Sequence, residues 1–273
     1  MSYKTILVHA EPGEQTDRRI RLAVEVAGMF DAAVLGVGAE AFRPVVGAEF
    51  AYVDGSLIQG LREAIDQDIT AAHARFRDLA ADVPGGAFWI SRLDFPDQVI
   101  ASQAAGADLV VADRPVGRSD PAFSAKPGDV VMECGCPVLL PPTGGGSLKA
   151  SHVVIGWKDA REARRAIADA LPFLMRAHSV HLVEINESGV AADAGLMQAV
   201  VKRLARHGVA VEAEVVARSE TSIAENLESA CSRHGADLLV IGAYGHSRVR
   251  EWALGGVTED LIAASTKFVL FSR

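Results

Sequence analysis

The sequence predicts an α/β protein built from two tandem units, each with a five-stranded parallel sheet. Short aliphatic runs that fit buried strands alternate with longer stretches of helical periodicity, which is the pattern of βαβ units whose sheet is covered on both faces. A block also repeats along the chain: residues 106–112 read GADLVVA and residues 235–241 read GADLLVI. The length of 273 residues is typical of two domains rather than one.

The two units are predicted to span residues 1–145 and residues 151–273. Residues 5–9 (TILVH) and residues 152–156 (HVVIG) open the two halves in the same way, each as a short apolar run that leads into a long helical pattern. Residues 141–147 read PPTGGGS, a composition that suits a turn and a flexible connector. The chain is therefore predicted to contain two copies of one plan.

In the second half, the hydrophobic periodicity assigns each element in turn. Strands are predicted at residues 153–157, 180–185, 209–216, 238–241 and 268–271, and helices at residues 160–176, 196–206, 222–234 and 257–264. The first of these helices has an apolar face formed by Ala163, Ile167, Leu171 and Leu174. The first half follows the same order, with an extra stretch at residues 42–57 after its second strand.

Composition and charge exclude several functions. Apolar residues make up 49% of the chain and charged residues 23%, which is typical of a globular protein. No apolar run approaches the roughly 20 residues that a membrane helix needs, and the first residues lack the pattern of a signal peptide, so we expect a cytoplasmic protein without membrane contact. A net charge of −8 and a pI near 5.5 argue against nucleic-acid binding. The three cysteines lack the spacing of a zinc site, so no metal centre is expected.

The charge is divided unevenly between the halves. Residues 1–150 carry 13 basic and 20 acidic side chains, whereas residues 151–273 carry 14 basic and 15 acidic ones. An anionic ligand is therefore better tolerated by the second half, because it meets less net negative charge there.

The loop after strand 238–241 is the strongest candidate for a binding site. In open α/β sheets, ligands bind outside the carboxyl ends of the strands, where the strand order reverses. Glycines let backbone N–H groups approach an anion, and the start of the next helix adds its partial positive charge. The same glycines could equally serve as turn residues that only let strand and helix pack closely. The candidate phosphate contacts are Gly242, Gly245, His246, Ser247, Gly255, Gly256, Val257 and Thr258, with Arg248 or Arg250 supplying charge.

The spacing G-x2-G-x9-G, formed here by Gly242, Gly245 and Gly255, resembles the nucleotide loop of universal stress proteins. The resemblance covers nearly the whole chain as two tandem domains, and residues 235–258 are its most specific part. It implies Rossmann-like, adenine nucleotide alpha hydrolase-like units. It also implies that the second half binds ATP or another adenine nucleotide, which can carry Mg²⁺.

The second half departs from the family pattern at two places. In ATP-binding members, the third glycine is followed by a Ser or Thr that contacts phosphate, whereas Gly256 stands there in this chain. The family's first strand commonly ends in an Asp that hydrogen-bonds adenine, and Lys158, which cannot accept the adenine amino proton, stands at that position. Glu184 is unfavourable beside phosphates. The candidates for contact with the base are Gly156, Trp157, Ile185 and, if the loop shifts by one residue, Asp159.

The first half has lost the glycine loop. Asp113 and Val116 replace its two early glycines, and Glu11 follows the first strand where the family has a D-G-S pattern. An aspartate in a phosphate cradle repels the ligand. We therefore expect residues 1–145 to bind no nucleotide triphosphate, although His9, at the end of the first strand, is placed to contact some other small molecule.

The resemblance implies a cytosolic stress-response protein that binds the nucleotide in its second domain and acts as a sensor or adaptor with little turnover. No general base, nucleophile or metal cluster is placed for efficient catalysis, so no catalytic residue is assigned. Two alternatives stay open. One is a stress protein that acts only through contacts with unidentified proteins, and the other is a slow ATPase that uses the same loop.

The last strand of each half, residues 138–140 and residues 268–271, indicates how the halves associate. In the resembled family, domains pair through these edge strands. An apolar edge strand that is left exposed promotes aggregation. We therefore expect the two halves to form a pseudo-dimer within one chain, and the same edges also allow a homodimer.

Overall fold

A computed structural model describes residues 2–13, 15–42, 55–114, 120–122, 124–186, 194–245 and 256–273. The chain divides into two compact units, one formed by residues 4–130 and the other by residues 1–3 together with residues 131–273. Strands and helices alternate along both, and the predicted α/β class with largely parallel strands is confirmed. The domain limits of 1–145 and 151–273 stay a prediction.

The first unit contains a parallel sheet with the strand order β3-β2-β1-β4. Its central strand β1 is fully buried at Ile6, Leu7 and Val8, as expected for a strand with helices on both faces. The elements are β1 (Thr5–His9), α1 (Gln15–Phe30), β2 (Ala33–Ala39), α2 (Gly55–Leu79), β3 (Ala87–Arg92), α3 (Pro96–Gln103) and β4 (Leu109–Val111). Most of the extra stretch predicted at residues 42–57 lies outside the described residues.

The second unit contains the strand order β5-β10-β9-β6-β7-β8, in which all pairs except β5 with β10 are parallel. Its elements are β5 (Val138–Leu140), β6 (His152–Trp157), α5 (Arg161–Asp169), α6 (Leu171–Leu174), β7 (Ser179–Asn186), α7 (Ala194–Arg206), β8 (Val211–Ala217), α8 (Ile223–Arg233), β9 (Leu238–Gly242), α9 (Val257–Ala264) and β10 (Phe268–Ser272). A further helix, α4 (Pro127–Glu133), contains the division between the units.

Strands β5 and β10 pair in antiparallel register, with Leu139 opposite Leu270. Both side chains are fully buried. These are the two last strands that the sequence analysis expects to pair. Because β5 belongs to the second unit, the first unit has four described strands, where the sequence predicts five. The arrangement of the halves as a pseudo-dimer stays a prediction.

The helix predicted at residues 160–176 is shorter than expected. Helix α5 ends at Asp169, and the short helix α6 follows it. The reason is Pro172, which has no N–H to continue the helical hydrogen bonds and whose ring crowds the preceding turn. The predicted apolar face survives the break, because Ile167 and Leu174 are both buried.

Among the described residues, no helix combines the length and the hydropathy that crossing a bilayer requires.

Candidate functional site

The carboxyl ends of β6, β7 and β9 meet at one edge of the second unit's sheet. Gly156 of β6 lies beside Ile241 of β9, and Trp157 lies beside Glu184 of β7. The chain passes from β6 to β7 on one side of β6, whereas β9 pairs on its other side, so the strand order reverses between β6 and β9. The glycine loop begins directly at this reversal, which is where open α/β sheets bind ligands.

Gly242 lets helix α5 approach the end of β9. A Cβ atom on Gly242 would lie 2.5 Å from the backbone nitrogen of Ala163 and 2.9 Å from the Cβ of Glu162. Real Cβ atoms do not approach other atoms so closely, so a larger residue here would displace the first turn of α5. Gly242 therefore has the alternative role predicted for the loop glycines, which is to let strand and helix pack closely.

Gly245 lies next to a carboxylate that the sequence analysis does not assign to the site. A Cβ atom on Gly245 would lie 3.4 Å from Oε2 of Glu162. The Glu162 side chain is only 13% exposed, and its Oε1 lies 3.4 Å from Nε of Arg161. A negative charge therefore stands beside the proposed phosphate loop. Glu162 follows the first residue of α5, and the contact of that helix with Gly242 brings it there.

Tyr244 and Thr258 fix the two ends of the loop to each other. The backbone N–H of Tyr244 donates to Oγ1 of Thr258 across 3.2 Å, and the Tyr244 hydroxyl donates to Glu259 across 2.6 Å. Tyr244 has a φ of 53°, a left-handed conformation that is uncommon for a residue with a side chain. Thr258 is only 3% exposed, so its hydroxyl serves the loop itself.

Helix α9 begins at Val257 after Gly256, which has an extended conformation and no side chain to cap the helix. The first backbone N–H groups of a helix have no intrahelical partner, and they attract anions when no side chain accepts from them. Two acidic residues in the first turn, Glu259 and Asp260, oppose this attraction. The Tyr244 hydroxyl donates a hydrogen bond to one of these two residues, Glu259.

The residues predicted to contact the base are largely packed against the protein. Trp157 is 5% exposed and Ile185 is 9% exposed. A Cβ on Gly156 would lie 3.3 Å from the Leu227 side chain, closer than most Cβ contacts, so helix α8 packs tightly against this glycine. Asp159 forms an ion pair with Arg164. The Lys158 side chain is exposed, and Glu184 is half-buried.

Part of the predicted loop lies outside the described residues. This applies to His246, Ser247 and Gly255, and also to the candidate cations Arg248 and Arg250. In the parts of the chain that the structure describes, no group of His, Cys, Asp or Glu is arranged to hold a metal ion.

The corresponding edge of the first unit contains a network of ion pairs. Arg19 is buried; its Nη2 donates to Oε1 of Glu11 across 3.1 Å, and its Nε donates to the carbonyl of His9 across 2.7 Å. Ser124 donates to Oε2 of Glu11 across 2.6 Å. Burial alone would raise the pKa of Glu11, but Arg19 and these hydrogen bonds lower it below its usual value. Protein side chains therefore already satisfy the carboxylate at this position.

His9 is buried at the centre of this network. Burial and the charge of Arg19 lower the pKa of His9 to about 4, so the imidazole is neutral at pH 7. The nearby Ala39 carbonyl acts to raise the pKa of His9 again, but less strongly. Neither ring nitrogen has a hydrogen-bond partner among the described residues. Asp113, which replaces the first glycine of the lost loop, lies 3.8 Å from Arg18. Val116 lies outside the described residues.

The parallel sheet and the position of the crevice define the second unit as a Rossmann-like α/β domain. Residues 152–273 match the sequence profile of the universal stress protein family. These residues, which make up less than half of the chain, therefore form a universal stress protein domain.

Two solved structures share the fold over nearly the whole chain. A universal stress protein from Archaeoglobus fulgidus is 13% identical, with a TM-score of 0.73 over 98% of this chain and 96% of that chain. A putative universal stress protein from Pseudomonas aeruginosa is 16% identical, with a TM-score of 0.51 over 99% of this chain and 93% of that chain. A universal stress protein in complex with cAMP is 19% identical, with a TM-score of 0.35 over 45% of this chain and 97% of that chain. No curated protein matches the chain in sequence.

Proposed function

We propose that residues 152–273 bind an adenine nucleotide, ATP or a relative, and that the protein acts as a stress-response sensor or adaptor with little turnover. The observation that carries this proposal is the start of α9. Gly256 leaves the first turn of that helix without a side-chain cap. The helix follows the glycine loop that leaves β9 at the reversal of strand order. Uncapped helix N-termini at such a crevice favour phosphate binding.

The base and ribose are proposed to lie over the ends of β6 and β7. Gly156 and Trp157 border this part of the crevice, and Ile185 belongs to the neighbouring strand. Because Trp157 is buried, we assign it the floor of the base site rather than an open stacking surface. Lys158 is exposed and can only donate hydrogen bonds, so we expect weak discrimination between adenine and other bases.

The Glu162 carboxylate gives the proposed site a dependence on magnesium. A carboxylate beside Gly245 repels bare phosphates, whereas Mg²⁺ carried by the nucleotide cancels part of their charge. Affinity for ATP is therefore expected to be higher with Mg²⁺ than without it. Glu162→Gln should strengthen the binding of magnesium-free ATP by about five-fold, the effect of one unit charge a few ångström away in a solvated site.

Calorimetric titration tests the proposal directly. Wild-type protein is titrated with ATP, ADP, AMP and cAMP, each with and without Mg²⁺, beside Gly245→Asp and the control Gly60→Asp. Gly60 lies on an exposed part of α2 with open space around it, so its variant carries the same added charge away from the loop. Binding that Gly245→Asp abolishes and Gly60→Asp preserves supports the proposal. Absence of heat with every nucleotide in wild type and in Glu162→Gln overturns it.

A second candidate is a stress protein that binds no nucleotide and acts through protein contacts alone. The specific observations in its favour are the carboxylate of Glu162 beside the loop and the use of the Thr258 hydroxyl within the loop. The calorimetric result above separates it from the nucleotide-binding proposal. Steady phosphate release that Gly245→Asp abolishes would instead identify a slow ATPase.

A further inference from the structure

An open cleft of about 330 Å³ lies in the second unit, at the same edge of the sheet as the proposed nucleotide loop, since Ser272, the neighbour of Arg273, pairs with Gly242. It is bordered by the end of helix α4, the turn that leads into β5, the first residue of α5 and the residue after β10. The residues that line it are Val131, Met132, Gly135, Cys136, Arg161 and Arg273. The volume lies at the lower end of the range of small-molecule sites.

The charged residues that line the cleft are both cations. Arg161 and Arg273 border it, and no Asp or Glu side chain is among the described residues that line it. Glu162 lies 3.4 Å from Nε of Arg161 at the edge of the cleft. The Arg161 side chain is 77% exposed, so this pair is a weak surface contact that an incoming anion can replace.

Backbone carbonyls orient the guanidinium groups at the cleft. Nη1 of Arg273 donates to the carbonyl of Met132 across 3.4 Å, and Nη2 of Arg165 donates to the carbonyl of Gly135 across 3.1 Å. Two adjacent acceptors at the end of α4 are therefore already satisfied by cations. The partial negative charge of these two carbonyl groups therefore repels an anion in the cleft less strongly.

We propose that this cleft binds a small oxyanion, the carboxylate or phosphate group of a metabolite, between Arg161 and Arg273. A guanidinium presents a planar fork of donors that matches carboxylate and phosphate oxygens, and two forks around one cavity favour such a group over a neutral ligand. The site adjoins the proposed nucleotide loop but is distinct from it, because the described residues that line the cleft lie outside residues 242–258.

The Cys136 thiol is a natural reporter of this cleft. It lines the cavity and is half-buried, whereas Cys134 and Cys231 are buried. Burial raises the pKa of both Cys134 and Cys231 to about 12, so they react slowly with alkylating reagents at neutral pH. The rate of alkylation of the folded protein therefore reports on the environment of Cys136. Cys136→Ser should abolish this alkylation.

The first experiment compares an anionic reagent with a neutral one. The rate of alkylation of Cys136 by iodoacetate is divided by its rate with iodoacetamide, which cancels changes in thiol reactivity. Arg161→Ala and Arg273→Ala should each lower this ratio by about five-fold, because each removes one unit charge near the reacting group. Arg77→Ala is the matched control, since Arg77 is exposed and pairs only with its neighbour Asp78 among the described residues. An unchanged ratio in both cleft variants overturns the proposal.

The second experiment identifies the anion at constant ionic strength, with chloride as the reference. Inorganic phosphate, succinate and ATP are each tested for slowing the reaction of Cys136 with iodoacetamide. Saturable protection by phosphate or by succinate that Arg161→Ala weakens supports the proposal and tells which oxyanion is preferred. Protection by ATP alone that Gly245→Asp removes would assign the effect to the nucleotide loop and overturn a separate site. Protection by phosphate that persists in Gly245→Asp supports the cleft even when nucleotide binding fails.

Discussion

Thr258, the second residue of α9, accepts a hydrogen bond from the backbone N–H of Tyr244 across 3.2 Å. Both residues are buried. Tyr244 lies two residues after the end of β9, and Thr258 lies in the first turn of α9. The bond therefore holds the two ends of the glycine loop together. The pattern of the loop makes this threonine a candidate phosphate contact, whereas the geometry gives its oxygen a structural partner.

Thr258→Val should destabilise the protein by about 1–3 kcal/mol, because it leaves the buried N–H of Tyr244 without an acceptor while keeping the side-chain volume. Urea unfolding followed by circular dichroism measures the change. Thr258→Ser retains the hydroxyl and is expected to recover most of the lost stability. Equal stability of Thr258→Val and wild type would show that the bond contributes nothing.

Arg19→Ala should be strongly destabilising, by about 3–5 kcal/mol, because it leaves the Glu11 carboxylate buried without its cation. Arg18 provides a matched control one position away: it is 45% exposed and lies 3.8 Å from Asp113. Arg18→Ala should cost less than about 1 kcal/mol, because Arg18 is largely solvated and lies at a long distance from Asp113, whose side chain is 10% exposed. Similar losses in the two variants, measured by thermal and urea unfolding, would contradict a buried network centred on Arg19.

Stability should fall as the pH is lowered from about 6.5 towards 4, because of His9. Its pKa in the folded protein is about 4, against 6.5 when unfolded, so within this window the unfolded chain binds a proton that the folded chain does not. Each pH unit then removes at most about 1.4 kcal/mol of unfolding free energy through this residue. Burial and the neighbouring His234 also lower the pKa of His181, which acts in the same direction.

His9→Leu should therefore flatten the dependence of unfolding free energy on pH without abolishing it. Urea titrations at several pH values between 7 and 5 measure the slope. Glu11 takes up a proton only at lower pH, so it does not contribute to the slope in this range. His207→Leu serves as the control, because His207 is exposed at the end of α7. A slope in His9→Leu equal to that of wild type would mean that the pKa of His9 is the same in the folded and unfolded states.

A chain that ends at Lys267 should aggregate. It lacks β10, and β5 then loses the partner of Leu139 and exposes a buried apolar edge. Size-exclusion chromatography with light scattering distinguishes aggregate from soluble protein. A chain that ends at Ser272 keeps the whole strand and should elute as wild type does. If the shorter chain is soluble and monodisperse, the pairing with β10 is dispensable.

Much of the fold follows from local patterns, and its differences from the prediction have local causes as well. The GADLVVA and GADLLVI repeats each lead into a buried strand, β4 and β9, because their aliphatic runs fit the interior of a parallel sheet. The break after Asp169 arises from Pro172, a residue that interrupts helices. The spacing of the apolar residues around it nevertheless predicts one continuous helix.

The site was less predictable, because its charges come from elements that are distant in sequence. Glu162 lies about 80 residues before Gly245, and only the packing of α5 against Gly242 brings the two together. The composition of the chain gave no sign that Arg19 satisfies Glu11 in the first unit. Loop spacing indicates where a phosphate could bind, whereas the electrostatic balance at that place depends on tertiary contacts.

The antiparallel pair of β5 and β10 has a consequence for synthesis on the ribosome. Strand β5 is translated roughly 130 residues before the strand that covers it. At about 5–20 residues per second, the apolar segment at Val138 waits on the order of ten seconds for its partner. During that interval the nascent chain presents an apolar strand edge that β10 does not yet cover, which is the kind of segment that holding chaperones protect. Emergence of β10, rather than completion of the first half, is therefore the step after which this edge no longer promotes aggregation.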